Sequence, residues 1–335
     1  MSLINIFFHA AQKILSFLNL VLITKKNALQ QREQRDKAVL ELAKFIKLKL
    51  YVGISGVVFS KNRPIQLYTL LYTYLKYAIK PAKLNIIYKA TSLEFEKAYK
   101  DIIEQFKHVD FFYFIEEKNF CQTLESVLSN IVTKNIFFLV DDIVFIRKVN
   151  FEIAISLDTD KYILSLRHSP HLDRSFTANT FQKRPHIERS NIHIDLNMFE
   201  WFKEGNEWSD PWSVDGQILP TSEVVAITKI SNFSGPNTYE AALKRFNTLC
   251  RKKIGLCYDE SKILNLAINR VQNEVANLSG TTDIEFLLSQ WIKGLMIDTD
   301  YLYTHTPKST HEVHLPRFKM RPTCPESLIN LDSFT

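Results

Sequence analysis

Residues 135–142 read Asn-Ile-Phe-Phe-Leu-Val-Asp-Asp, an apolar run that ends in two adjacent carboxylates. The apolar run predicts a buried strand. Asp141 and Asp142 repel each other unless a cation or hydrogen-bond donors compensate their charge. Because ligands of α/β sheets bind beyond the carboxyl ends of the strands, the pair predicts a divalent metal carrying a phosphorylated substrate. The alternative is a solvated loop, since Asp is common after strands.

A regular alternation of strands and helices leads up to this run. The apolar stretches and turn signals predict strands at 54–60, 84–89, 109–115 and 136–140, and helices at 64–77, 93–106 and 120–132. Repetition at this spacing predicts an α/β fold with a mostly parallel sheet covered by helices on both faces. One edge of that sheet should then bring Ser60, Asn62 and Arg63 close to Lys89, Thr91 and the aspartate pair.

The second half of the chain is less regular. It predicts helices at 151–157, 215–219, 237–253, 261–274 and 283–293, strands at 162–167 and 193–199, and a long polar loop at 168–190. Loops of that length in compact domains are usually functional. We therefore expect residues 50–335 to form one catalytic domain, with a nucleotide-binding half at 50–145. Residues 146–335 would supply the acceptor half, a helical C-terminal part and an irregular tail.

Composition excludes several classes of protein. A hydrophobic share of 46% with 24 Phe is ample for a folded core. The eight glycines form no Gly-rich phosphate loop, which disfavours dinucleotide enzymes and P-loop NTPases. The four cysteines are scattered without a CxxC pair, so we expect buried thiols in a reducing compartment and a cytoplasmic protein.

The excess of positive over negative charge lies entirely in residues 1–49. These residues carry nine Lys or Arg and three Asp or Glu, a balance of +6 that equals the net charge of the whole chain. The rest is balanced, so nucleic acid is not an expected partner. The arm combines an apolar helix face at 3–23 with a basic helix at 27–49. It predicts contact with the inner membrane face, packing on the domain or on a second subunit, or a true membrane span. An oligomer therefore stays open.

Three segments together resemble GT-A fold glycosyltransferases of the family 2 type. Residues 57–67, Val-Val-Phe-Ser-Lys-Asn-Arg-Pro-Ile-Gln-Leu, resemble the first strand and turn of that fold. Residues 139–145, Leu-Val-Asp-Asp-Ile-Val-Phe, resemble its metal-binding Asp-x-Asp motif, although Val140 stands at the first acidic position. Residues 208–217, Trp-Ser-Asp-Pro-Trp-Ser-Val-Asp-Gly-Gln, resemble the acceptor-side segment. The resemblance covers residues 50–220.

The resemblance implies a sugar transfer from a nucleotide-sugar donor to a glycan, lipid-linked or protein acceptor, assisted by Mn²⁺ or Mg²⁺. It assigns Asp142 to the metal and Asp141 to the ribose or sugar. Asp215, with Asp210 next, would take the acceptor proton in an inverting mechanism; helix capping is the alternative for Asp215. His311 and His314 are candidates for a further metal ligand from the tail.

The remaining site candidates rest on the chemistry of their side chains. Arg63 and Arg167 would bind the donor phosphates. The alternative for Arg63 is a surface arginine at the start of a helix, and the alternative for Arg167 is a structural salt bridge. Ser60 and Asn62 would meet the nucleotide or cap the following helix.

Two other functions stay open. A non-catalytic binding or assembly protein on the same scaffold would explain the missing first acid. A nucleotidyltransferase also pairs a parallel sheet with aspartates, but it usually needs a Gly-rich turn after the first strand.

Overall fold

The computed structural model describes residues 25–176, 178–269 and 280–322. The helices are α1 Lys25–Lys47, α2 Pro64–Tyr77, α3 Leu93–Gln105, α4 Phe120–Asn130, α5 Phe151–Ser156, α6 Thr221–Lys229, α7 Pro236–Lys244 and α8 Ile284–Ile292. The strands up to residue 200 are β1 Tyr51–Lys61, β2 Ala78–Ile79, β3 Lys83–Lys89, β4 Phe112–Glu116, β5 Thr133–Val140, β6 Ile143–Phe145, β7 Val149–Asn150, β8 Tyr162–Ser165, β9 Arg174–Ser175, β10 Thr180–Phe181, β11 Ile187–Arg189 and β12 Leu196–Glu200. The later strands are β13 Gln217–Pro220, β14 Ile254–Tyr258, β15 Ile263–Leu266, β16 Leu295–Ile297, β17 His311–Glu312 and β18 Phe318–Met320. Short 3₁₀ turns lie at Glu207–Ser209, Asn247–Cys250 and Asp300–Tyr303.

A nine-stranded sheet in the order β11-β12-β14-β8-β13-β5-β1-β3-β4 forms the centre of the fold. β5, β1, β3 and β4 run parallel, as the alternation of strands and helices predicted. β13 then joins β5 and β8 in antiparallel orientation, β8 and β14 are parallel, and β11 and β12 complete an antiparallel edge. The α/β class with a mostly parallel sheet between helices is confirmed.

The apolar strands are buried on both faces of the sheet, which explains why they read as continuous hydrophobic runs. In β5, Phe137 and Leu139 enter the core beneath α2, while Ile136 and Phe138 enter the opposite core beneath α4 and α6. All four side chains are fully buried. Truncating one of these Phe residues to Ala would therefore cost about 3–5 kcal/mol of stability.

A second, three-stranded sheet lies beyond the aspartate pair, in the order β17-β15-β6. β6 follows Asp142 directly and pairs with β15, so that Asn265 lies opposite Ile143. On its other side, Asn265 lies opposite His311 of β17. This sheet brings two distant parts of the chain, residues 263–269 and the tail around residue 311, next to the end of β5.

Helix α1 packs on the domain, which confirms intramolecular packing for this part of the arm. Val39 and Ala43 are buried in the core shared with α6. Arg35 donates to the carbonyl of Arg245 at 2.6 Å, and its guanidinium lies 4.2 Å from the centre of the Phe246 ring. Residues 3–23, with the predicted apolar helix face, lie outside the described residues. The division into an arm at 1–49 and a catalytic domain at 50–335 stays a prediction. None of the helices in the described ranges is long and apolar enough to cross a membrane.

Three helices predicted in the second half are wrong in whole or part. Residues 217–220 form β13 rather than a helix, since they fill the gap between β5 and β8, and helix α6 begins only at Thr221. Residues 263–266 form β15, because this short apolar run is buried between two strands; the end of that predicted helix lies outside the described residues. Helix α7 ends at Lys244, and only a 3₁₀ turn follows before Cys250. The C-terminal part is therefore mixed rather than helical.

Candidate functional site

A cavity of about 560 Å³ opens at the carboxyl edge of the parallel strands, between β1, β5 and the three-stranded sheet. Eight residues singled out by sequence line it: Ser60, Arg63, Asp141, Asp142, Arg167, Asp210, Asp215 and His311. Asn62 and His314 do not belong to its described lining. Among the charged lining residues seven are acids and five are Lys or Arg, so the cavity carries a formal excess of two negative charges. An anionic nucleotide would need a cation to enter it.

Asp141 is held by the turn after β1. One oxygen of its buried carboxylate accepts from Arg63 Nη1 at 2.9 Å, and the other accepts from the backbone N–H of Lys61 at 3.2 Å. Burial disfavours the Arg63 cation, but Asp141 and Asp142 outweigh this effect and raise its pKa. Arg63 is only 8% exposed. It is therefore a buried ion-pair partner rather than a surface helix-start arginine.

Asp142 is the carboxylate with the least compensation. Burial raises its pKa to about 7, and the negative charges of Asp141 and Asp215 add to that effect. Arg63, at 3.4 Å, and the Asn265 amide, also at 3.4 Å, oppose it without cancelling it. A further cation beside Asp142 would favour its charged form.

The donor set beside Asp142 fits a hard divalent cation. It offers the Asp142 carboxylate, and the neighbouring Asn265 side chain, whose Nδ2 faces Asp142, has a buried Oδ1 without a hydrogen-bond partner. Mg²⁺ in proteins is usually held by one or two carboxylates plus substrate phosphates, and this cavity supplies that number. Asp142 would hold the metal, and the remaining ligands would come from the donor phosphates and from water.

Asp215 faces Asp142 from the turn before β13. Its Oδ2 accepts from Arg167 Nη1 at 2.8 Å, and Arg167 Nη2 donates to Ser213 Oγ at 3.1 Å. His311 Nε2 lies 3.7 Å from the same Asp215 oxygen. Burial lowers the pKa of His311, with Asp215 opposing the shift and Arg167 adding to it. Asp215 does not cap a helix, because the residues after it form a strand.

Asp210 lies in a second charged group of the cavity. Lys244 Nζ lies 2.6 Å from Asp210 Oδ2 and 3.0 Å from Glu240 Oε2. Burial and the neighbouring Glu240 raise the pKa of Asp210 to about 6, although Lys244 opposes the shift. A carboxylate with such a pKa is suited to proton transfer near neutral pH.

Ser60 and Asn62 do not cap helix α2. Its N-cap position is Arg63, without a side-chain hydrogen bond, and Pro64 begins the helix. Ser60 Oγ is 2.7 Å from the hydroxyl of Tyr99. Asn62 adopts a left-handed backbone with φ 54°, and its side chain exchanges two hydrogen bonds with Thr91. Ser60 borders the cavity, whereas Asn62 ties the first turn to the loop after β3.

Several aromatic residues near the resembling segments belong to the core. Trp201, Trp208 and Trp212 are at most 6% exposed, so packing rather than sugar stacking describes them. His168 is also fully buried, and its ring lies 4.7 Å from that of Trp208. Burial, helped by Arg167, lowers the pKa of His168 to about 3. Cys250 and Cys257 are buried free thiols, as expected.

Five residues of the cavity wall were not predicted from the sequence: Glu117, Glu207, Glu240, Lys244 and Asn265. The spacing of Glu240 and Lys244, four residues apart on a helix, was a usable signal. Asn265 was not predicted because residues 261–274 were expected to form a helix, whereas Asn265 lies in β15. Asn269 also lines the cavity, and its carbonyl accepts from Arg63 Nη2.

The two tail histidines predicted as metal ligands, His311 and His314, lie in different places. His311 enters the cavity and stacks on Phe176 at 5.5 Å between ring centres. His314 instead lies beside Glu312 and His305, in a group of its own.

Comparison with known proteins gives one sequence relative. The chain is 25% identical over 194 residues to the bifunctional glycosyltransferase pgtA of Dictyostelium discoideum. The matched part covers 52% of this chain and 25% of the relative. The match is to a glycosyltransferase. The resemblance predicted from the three motifs is thereby confirmed, although the chain spans about a quarter of the relative's length. No protein-family model matches.

Similar solved structures are more distant. Residues 1–349 of TarS from S. aureus, in complex with UDP-GlcNAc, give a TM-score of 0.40 at 11% identity and cover 67% of this chain and 60% of that chain. The 4-diphosphocytidyl-2C-methyl-D-erythritol synthase of Anaerococcus prevotii gives 0.36 at 13%, with 72% and 96% covered. Scores of this size carry no functional conclusion.

Proposed function

We propose that this chain is a glycosyltransferase that uses a nucleotide-sugar donor and a divalent metal, Mn²⁺ or Mg²⁺. The observation that carries the proposal is the position of Asp142. Asp142 follows the end of a parallel strand, burial raises its pKa, and its cavity also contains two arginines and further carboxylates, among them Asp215. The sequence similarity to a glycosyltransferase supports the reaction class.

Each group in the cavity has a chemical task in this proposal. A metal held by Asp142 supplies charge neutralisation at the departing nucleoside diphosphate. Arg63 pairs with both Asp141 and Asp142 and lines the cavity, and it is our candidate for the contact with the donor phosphates. Asp141 fixes Arg63 and the turn after β1, and it is our candidate for the ribose or sugar contact.

Proton transfer is assigned to Asp215, with Asp210 as the second candidate. In an inverting transfer a carboxylate must accept the proton of the acceptor hydroxyl. Asp215 lines the same cavity as Asp142 and contributes to the raised pKa of Asp142, which supports a role near the reacting end of the donor. Arg167 holds the Asp215 carboxylate in place through the 2.8 Å ion pair. A retaining transfer would not need this base.

We also propose that the acceptor is presented at a membrane surface, as a glycan on a lipid or protein. Phe45 near the end of α1 and Leu48 in the turn after it are 68% and 85% exposed, whereas Leu40 borders the groove between α1 and the domain. Lys44 and Lys49 flank these side chains, although Lys44 pairs with Glu41, and basic residues beside exposed apolar side chains favour anionic lipid surfaces.

The membrane proposal is tested by flotation with vesicles of phosphatidylcholine alone or with phosphatidylserine. Exchanging Phe45 and Leu48 for Ser should reduce binding to the anionic vesicles. The matched control is Leu315→Ser, a change at another side chain that is 85% exposed. Equal flotation of all variants, or no flotation of the wild type, contradicts the proposal.

The enzymatic proposal is tested by thermal unfolding with a panel of nucleoside diphosphates and Mn²⁺. We expect one nucleotide to raise the unfolding temperature only together with the metal, and Asp142→Asn to remove the effect. Asp195→Asn, at an exposed carboxylate, serves as the control. A shift without turnover of the matching nucleotide sugar would favour the binding or assembly protein, and no shift with any nucleotide would refute the enzyme.

A further inference from the structure

The tail of the domain carries a second polar group that the proposed reaction does not use. His305, Glu312 and His314 place three ligand atoms within 4.8 Å of one another. His305 Nε2 is 2.6 Å and His314 Nε2 is 3.0 Å from the same oxygen of Glu312, Oε2. Two imidazoles and one carboxylate are the ligand types of Zn²⁺ and of neighbouring first-row metals.

The spacing of these atoms fits a metal ion with little adjustment. With metal–ligand bonds of about 2.0–2.1 Å, two ligands at right angles lie about 2.9 Å apart, and two tetrahedral ligands about 3.4 Å apart. The observed 2.6 and 3.0 Å lie near the first value, so small side-chain rotations suffice. The three side chains are 18–33% exposed, which leaves a path for the ion and room for a water ligand.

The surroundings support the ligands. The second oxygen of Glu312, Oε1, accepts from the backbone N–H of Lys308 at 2.9 Å. The carbonyl of His305 accepts from Arg147 Nη2 at 3.0 Å, which anchors the start of the segment. Such outer hydrogen bonds orient metal ligands in known sites.

The group is separate from the cavity. Successive side chains of a strand point to opposite faces, and His311 and Glu312 are neighbours on β17. His311 faces the cavity, whereas Glu312 is not among its lining residues. The group therefore lies on the other face of the three-stranded sheet from Asp142.

We propose that His305, Glu312 and His314 bind one Zn²⁺ ion, which fixes the segment 305–314. That segment carries His311 and Thr310, both of which line the cavity. Thr310 Oγ1 donates to Glu207 Oε2 at 3.1 Å, so ordering the segment also orders this wall of the cavity. The zinc site itself does not depend on the proposed reaction.

The test uses the full-length protein after removal of bound metal. Zinc titration calorimetry and native mass spectrometry should show one Zn²⁺ per chain with micromolar or tighter affinity. Exchange of His305 and His314 for Asn should weaken binding on the order of 100-fold or more. His193→Asn, at an exposed histidine beside an acid, is the matched control and should retain zinc.

Two further outcomes distinguish this site from the proposed donor metal. Asp142→Asn should keep the zinc, and Co²⁺ bound to the wild type should show a visible spectrum that the double histidine variant lacks. Circular dichroism checks that this variant is folded. The absence of stoichiometric zinc in the wild type, or its loss in Asp142→Asn but not in the double variant, overturns the proposal.

Discussion

Exchanging Asp142 for Asn should stabilise the metal-free protein at alkaline pH. The folded structure raises the pKa of Asp142 from 3.8 to about 7, chiefly by burial. A raised pKa means that the folded state binds the extra proton, so the wild type loses stability as pH rises from about 4 through 7. At 1.36 kcal/mol per pKa unit, the full loss is about 4 kcal/mol. The neutral amide avoids it.

The pH dependence of this gain is the decisive feature. With the two pKa values above, the advantage of Asp142→Asn over the wild type should be about 3 kcal/mol larger at pH 8 than at pH 5. Urea unfolding in EDTA at pH 5, 6, 7 and 8 measures it. A gain that does not change with pH, or a loss of stability at pH 8, would refute the reasoning.

The neighbouring exchange, Asp141→Asn, is the matched control. Asp141 is 4% exposed and pairs with the buried Arg63 at 2.9 Å. Its removal takes away the closer of the two carboxylates that pair with Arg63, and Asp142 at 3.4 Å compensates that charge only in part. Breaking a buried ion pair costs about 3–5 kcal/mol, and we expect a value near the lower end. Asp141→Asn should therefore destabilise the fold at pH 8, where Asp142→Asn stabilises it.

The remaining predictions concern the base, a helix contact and the core. Asp215→Asn should lower turnover by at least about 100-fold with little change in donor binding, whereas Asp210→Asn should retain turnover. The reverse result in rate assays would assign the base to Asp210. Val39→Asp should lower the stability measured in urea by about 3 kcal/mol, since it places a charge in the fully buried contact between α1 and the domain; an unchanged midpoint would show that α1 does not pack there. Trp212→Ala should cost about 3–5 kcal/mol, because its fully buried ring also donates to the carbonyl of Phe246, and a change below 1 kcal/mol would contradict its place in the core.

The parallel half of the fold was predictable because its central strands, β1 and β5, contain buried apolar runs. Residues 57–59 of β1 and 136–139 of β5 are such runs, and turn residues follow both strands. The same rule failed at β15, since a short apolar run fits a buried strand or a helix equally well. The two strands that pair with β15, β6 and β17, are distant from it in sequence, so local sequence patterns do not predict this pairing.

The candidate site shows the same division. Arg63, Asp141 and Asp142 follow strand ends, so the predicted topology placed them at one edge of the sheet. Asp215 was predicted only from the resemblance of residues 208–217, since the strand that follows it was predicted to be a helix. Asn265 and the group at Glu312 depend on the three-stranded sheet, which the sequence reading did not anticipate.

The most direct test of the central claim is the release of nucleoside diphosphate from a panel of nucleotide sugars by the purified protein. We expect one donor to be turned over in the presence of Mn²⁺ or Mg²⁺, and we expect EDTA or Asp142→Ala to abolish the release. Turnover that persists unchanged in Asp142→Ala would contradict the role of Asp142, and the absence of release from every donor and acceptor tried would contradict the proposed enzyme.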